Sequence, residues 1–209
     1  MERRNVIDTK IYQILTRGYQ LIVLNLLMLL FSLPLITIGS VLASGYEISF
    51  KMQRHQEKHL AKEFIEMFCK NFKKATISWL IFLLGLGGVF VFSGTIQATL
   101  NVGGLVRYLI LLLVTVYILA FLYVFPLIGY SENSVKAHFV VGLVMSFKNM
   151  GQSILVFLIF ACAVVLPLYM PMTIILVLFV GISLPVFLNS IIFKKVFEKY
   201  QFSNTQERD

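Results

Sequence analysis

Apolar residues in this chain come in long unbroken runs rather than in the half-buried stripes of a soluble helix or strand. No charged residue occurs from Gly18 to Tyr46, from Ala75 to Val106, from Tyr108 to Ser131 or from Asn149 to Phe193. About 20 apolar residues suffice for a helix to cross the hydrocarbon core of a bilayer. The first three runs each hold one such crossing, and the fourth holds two, with Pro167 and Pro171 marking a tight turn in its middle. The pattern predicts five spans, at about 19–44, 76–99, 107–129, 153–169 and 172–193.

Between the runs, apolar residues recur at helical spacing opposite charged ones. Ile7, Ile11, Ile14 and Leu15 oppose Arg3, Lys10 and Arg17, which predicts an amphipathic interfacial helix over 1–18. Within the segment 47–74, Leu60, Phe64, Ile65, Phe68 and Phe72 oppose Lys62, Glu66, Lys70 and Lys73. The basic tail 194–209 repeats the device with Phe193, Val196, Phe197 and Tyr200. Two uses fit the 60–74 helix: attachment to anionic lipid, helped by roughly 1 kcal/mol per basic residue near the surface, or docking of a cytoplasmic partner. Lys62, Glu66, Lys70, Asn71 and Lys73 form the candidate docking face.

Composition removes the soluble alternatives. The 209 residues are 58% hydrophobic and 13% charged, too few charges to cover the outside of a water-soluble bundle. Cys69 and Cys162 are the only cysteines, which excludes a disulfide scaffold. The expected architecture is an all-α, polytopic single domain over 1–209. The net charge of +8 is accounted for by membrane orientation and anionic lipid, and no nucleic-acid motif is present.

Three proline motifs suggest an internal repeat: Leu33–Ile36, Phe125–Ile128 and Leu184–Phe187. The segments from Met67 and from Met145 also share Met, Lys-Asn and a closing Leu-Ile-Phe. On this reading spans one and two are duplicated as spans three and four, and the odd spans run parallel. The segments following them then carry 13 Lys or Arg against five elsewhere, and the positive-inside rule gives a plasma-membrane protein with its N-terminus outside and C-terminus inside. Arg3, Arg4, Lys10 and Arg17 oppose that orientation. If span one breaks at Pro34 and returns as a re-entrant hairpin, both termini are cytoplasmic instead.

Little in the chain points to catalysis. His55, His59 and His138 fall in expected loops; the i, i+4 spacing of the first two lacks the further ligands of a metal site. No nucleophile elbow, phosphate loop or dinucleotide fingerprint occurs, so a non-enzyme without metal or cofactor is expected. The spans carry no charge, only uncharged polar residues such as Asn25, Thr37, Ser40, Ser44 and Asn189. These serve as hydrogen-bonding glue between helices or line a path for an uncoupled solute. Small residues four apart, Gly39 with Ala43 and Ser40 with Ser44, promise close helix contact. Pro34 breaks span one, with Thr37 placed to satisfy a freed carbonyl.

The run L-N-L-L-M-L-L-F-S-L-P-L-I-T-I-G-S at Leu24–Ser40, followed by F-C-K-N-F-K-K-A-T-I-S-W-L at Phe68–Leu80, resembles the YesL family of bacterial integral membrane proteins. That family, of unknown molecular function, is typical of Gram-positive bacteria. The likeness is strongest from about Tyr19 to Leu80, and Asn25, Pro34, Thr37, Gly39, Asn71, Phe72, Lys73 and Trp79 occupy its signature positions; Met28 stands where an aromatic residue is usual. The resemblance implies a context: family members accompany sugar ABC importers and polysaccharide-degrading enzymes. It therefore implies an accessory role in carbohydrate uptake, beside permease or ATPase subunits. The chain lacks the ATPase-gripping E-A-A…G loop of a permease.

Overall fold

A computed structural model describes residues 2–56, 59–99 and 104–200. All regular structure in it is helical: α1 (Glu2–Ser32), α2 (Ile38–Gln53), α3 (Leu60–Thr99), α4 (Gly104–Tyr130), α5 (Val135–Lys148), α6 (Met150–Tyr169), α7 (Ile174–Val180) and α8 (Ser183–Lys199). Single 3-10 turns at Leu35–Thr37 and Pro171–Thr173 join α1 to α2 and α6 to α7. Among the described residues four helical stretches are long and apolar enough to cross a membrane: Tyr12–Ser32, Leu60–Phe92, Tyr108–Tyr130 and Met150–Tyr169. A fifth crossing results if α7 and α8, bent by 57° at their junction, count as one. This is an all-α, multi-pass membrane protein.

The first expected span is two helices. The chain leaves α1 at Ser32, turns through Pro34 with extended backbone (φ −75°, ψ 114°), and re-enters a helix at Ile38. The Thr37 hydroxyl donates to the carbonyls of Phe31 and Pro34, at 2.5 and 2.6 Å, and closes the break. α2 then runs back beside α1: Met28 lies against Gly45, and the Arg17 guanidinium meets His55 Nδ1 at 2.9 Å. A single crossing over 19–44 is thereby corrected to the returning hairpin. The physical reason is α2 itself, whose Gly39, Ser40, Val41, Ala43, Ser44 and Glu47 are all buried among other helices and unavailable to lipid.

α2 is clasped by α3 and α4 at backbone distance. A Cβ on Gly39 would stand 2.6 Å from the Ala75 carbonyl and from Trp79 Cβ, and one on Gly129 would stand 2.5 Å from the Ala43 carbonyl. Small side chains permit this approach, and Ser40 adds bonds to the Phe72 carbonyl at 3.2 Å and Thr76 Oγ1 at 3.0 Å. The tip of the hairpin is held where Trp79 Nε1 donates to the Leu35 carbonyl at 2.8 Å. Trp79 is the midpoint of the 40-residue α3, so α3 continues roughly 30 Å beyond the tip at 1.5 Å per residue.

The expected separate surface helix over 60–74 is the first half of that continuous α3. Its apolar face is divided: Phe64 is fully buried and Phe31 packs on both Phe64 and Phe68, with ring centroids 5.7 and 4.9 Å apart, while Ile65 and Phe72 stay exposed. The backbone of residues 2–18 likewise belongs to the continuous α1; the side chains of Arg3, Arg4, Ile7, Lys10 and Ile11, and the tail beyond Tyr200, lie outside the described residues. The three proline motifs occupy unlike settings: Pro34 in a break, Pro126 inside α4, and Pro185 in the first turn of α8.

Several element ends meet at one end of the molecule. Arg54 lies over the Tyr130 ring at 5.7 Å, Tyr130 packs on Phe197 at 5.0 Å, and Lys148 lies over Tyr200 at 5.6 Å. The Arg17–His55 contact ties α1 to the same end of α2 as Arg54. We call this the basic end.

Candidate functional site

At the basic end α2, α3 and α4 enclose a recess of about 260 Å³. Its charged lining comes from Glu47, Lys51 and Arg54 on or just after α2, Lys70 and Lys74 on α3, and Glu132 after α4. Gly39, Ala43 and Glu47 fall on one face of α2, four residues apart. The close contact of α2 with its neighbours thus carries Glu47 into the wall, 8% exposed.

Both carboxylates are engaged. Glu47 accepts from Asn71 Nδ2 at 2.6 Å and stands 3.8 Å from Lys70 Nζ. Lys70 Nζ is 2.8 Å from Glu132 Oε1, so one ammonium links α2, α3 and the segment after α4. Lys74 Nζ donates to the Glu132 backbone carbonyl at 3.1 Å, and Lys51 pairs with Glu63 at 3.1 Å. Burial pushes the Glu47 carboxyl above the ordinary carboxylate range, and Asn71 and then Lys70 and Lys51 pull it partly back. His138, expected in a loop, is instead buried in α5; its Nε2 faces the Ser131 carbonyl at 3.3 Å, and burial pushes its imidazole below the usual histidine range.

The predicted docking residues divide between two faces of α3. Lys70 and Asn71 enter the recess. Lys62 and Glu66, side chains 78% and 57% exposed, face each other at 3.9 Å on the outside, and Lys73 is exposed as well. Glu47, Arg54, Lys74 and Glu132 were not expected. The signal for Glu47 was in the chain: it is the first charge after the run Gly18–Tyr46, and it extends the Gly39–Ala43 spacing by one turn.

The residues expected at the helix break do different work. Asn25 is buried and acts at a distance from Pro34, on the junction of α7 and α8. Its Oδ1 accepts from the N–H groups of Ile182 and Ser183 at 2.8 and 3.0 Å, and its Nδ2 donates to the carbonyls of Val177 and Leu178 at 3.1 and 2.8 Å. One side chain caps the end of α7 and the start of α8, groups that a helix cannot satisfy internally. Ser183 Oγ returns a bond to the Leu21 carbonyl at 2.8 Å. Ser44 and Ser49 bond carbonyls one turn back, at 2.7 Å each, and Tyr123 bonds Ser153 at 2.9 Å.

Residues 21–93 match the model of a family described as a protein of unknown function, DUF624. No curated protein and no solved structure matches the chain. The matched stretch runs from within α1 to within α3 and includes Glu47, Arg54, Lys70, Asn71 and Lys74, while Glu132 lies beyond it.

Proposed function

We propose that this membrane protein is a non-enzymatic binding component, an accessory of an ABC-type carbohydrate importer in the plasma membrane. Its partner-facing surface is the outer face of α3 at the basic end, carrying Lys62, Glu66 and Lys73. One observation carries the choice of binding over conduction: the uncharged polar residues Asn25, Thr37, Ser40, Ser44 and Ser183 spend their hydrogen bonds on backbone groups, with Ser40 also bonding Thr76. That use favours glue over a solute path. The carbohydrate context rests on the resemblance to the YesL family.

The same reading places the basic end in the cytoplasm. With Arg17 beside His55, the N-terminal basic residues no longer have to cross, and the positive-inside rule is met with both termini inside rather than with the N-terminus outside.

The test is co-purification from native membranes. Lys62→Glu with Lys73→Glu is expected to lose permease or ATPase subunits that the wild-type chain and a Lys136→Glu control recover. Equal recovery by both variants removes the α3 face from the mechanism. If the wild-type chain recovers no partner and moves solute in pure liposomes, the alternative of a stand-alone facilitator replaces this one.

A further inference from the structure

Among the charged side chains lining the recess, the hydrogen-bonding capacity left over is mostly donor. Glu47 and Glu132 are both held by Lys70, with Asn71 on Glu47 as well. The last carbonyls of α2 are taken by the turn that follows: Phe50 and Lys51 accept from Arg54 N–H, Met52 from His55 and Lys51 again from Gln56. The Leu127 carbonyl accepts from Ser131 N–H, and the Glu132 carbonyl accepts from Lys74.

Donors are in surplus. The Arg54 guanidinium, with five N–H groups in a planar fork, lies over the Tyr130 ring and bonds no acceptor among the described residues. Lys74 Nζ, with three N–H groups, spends one on the Glu132 carbonyl. Among the charged groups lining the recess, four cations face two carboxylates. Stacking on an aromatic face is worth only about 0.5–1 kcal/mol at an exposed site, so Arg54 is held in place without being neutralised. The recess also adjoins the end of an apolar crossing, since Ile128, Gly129 and Tyr130 close both the Tyr108–Tyr130 stretch and the wall. Basic pockets between membrane helices on the cytoplasmic side take anionic head groups.

From this we propose that the recess binds a phosphate group, held by the Arg54 fork on one side and the Lys74 ammonium on the other, with Lys70 fixed by its carboxylates as part of the wall. The shared chemistry is a phosphate monoester or diester anion, supplied by an anionic phospholipid head group or by a small phosphorylated solute. The proposal concerns a different face of α3 from the importer contact and stands without it, because its test contains no partner.

The experiment titrates the purified full-length protein in neutral detergent with three probes: short-chain phosphatidylglycerol, short-chain phosphatidylcholine and inorganic phosphate. Saturable binding of about one phosphatidylglycerol, with phosphatidylcholine much weaker, supports the site with lipid as its source. Saturable binding of inorganic phosphate alone supports it with a free solute as the source. In either case Arg54→Gln with Lys74→Gln should weaken binding about tenfold or more, the loss of two charge-assisted bonds. Arg54→Lys should retain part of it, and Lys194→Gln with Lys195→Gln should leave it unchanged. Equal binding of the two lipids, equal binding by the double variant and the control, or no saturable binding of any probe overturns the proposal. Helical content and elution volume, measured for each variant, establish that the compared chains are folded; Arg54→Lys keeps the comparison decisive if the double variant is not.

Discussion

Glu47 shows what a single side chain does to the pH response of this fold. Its carboxyl is pushed above its ordinary value of 4.5 by burial, so the folded protein holds the proton more tightly than the unfolded chain. The stability it contributes is fully present below that ordinary value and is lost as pH rises through the folded value. His138 acts in the opposite direction, because its imidazole is pushed down and the folded state gains as pH rises. The difference between wild type and Glu47→Gln isolates the carboxylate. Thermal unfolding in detergent is expected to show wild type losing ground to Glu47→Gln as pH is raised from the acid side toward neutrality; a constant gap between the two would mean that Glu47 titrates normally. At this scale the chain was half legible. Asn25 was visible as an unusual polar residue in an apolar run, but its partners are 152–158 positions away, and no local pattern encodes such a distance.

For the α1–α2 pair, the decisive feature is packing. Pro34 was read correctly as a break, yet the proline is not what keeps the chain from straightening. Its φ of −75° is open to any residue, and Thr37, Trp79 and the buried face of α2 hold the turn. Pro34→Ala is therefore expected to leave stability nearly unchanged. Gly39→Ala meets the Ala75 carbonyl at 2.6 Å, and overpacking of this kind costs about 1–3 kcal/mol. Unfolding midpoints of the two variants check this; equal tolerance would show that α2 and α3 can separate at no cost. Hydropathy could not reveal the return of α2. Its first half, 38–46, carries no charge and continues the uncharged run from Gly18, and the interior of a helical bundle and the bilayer select the same side chains. The same equivalence hid Phe64 and Phe68, whose helical spacing fits a lipid face and a protein core equally well. The expected repeat rests on the same kind of signal, since Leu, Ile, Phe and Pro recur in apolar segments, and the structure shows only that its three prolines have different local settings.

Across the whole molecule, the count of apolar stretches was legible and the direction of the first was not, because direction depends on where α2 packs. The orientation proposed above is testable by impermeant thiol labelling in intact cells, on a background lacking Cys69 and Cys162, both exposed and unpaired in the structure. Cysteines at Gln13 and Lys136 are expected to be shielded, and one at Met172, in the turn between α6 and α7, to be labelled. Labelling at Gln13 but not at Lys136 would restore a fully crossing first span.

The double cap made by Asn25 also bears on how the protein is made. The side chain emerges from the ribosome 152–158 residues ahead of the backbone groups it satisfies, which belong to residues 177–183. Until then Asn25 waits in an apolar setting without its partners, and a chain cut short after α6 never supplies them. α1 is thus finished by α7 and α8. Arrival of α7 and α8, rather than insertion of any earlier segment, completes the hydrogen bonding of Asn25.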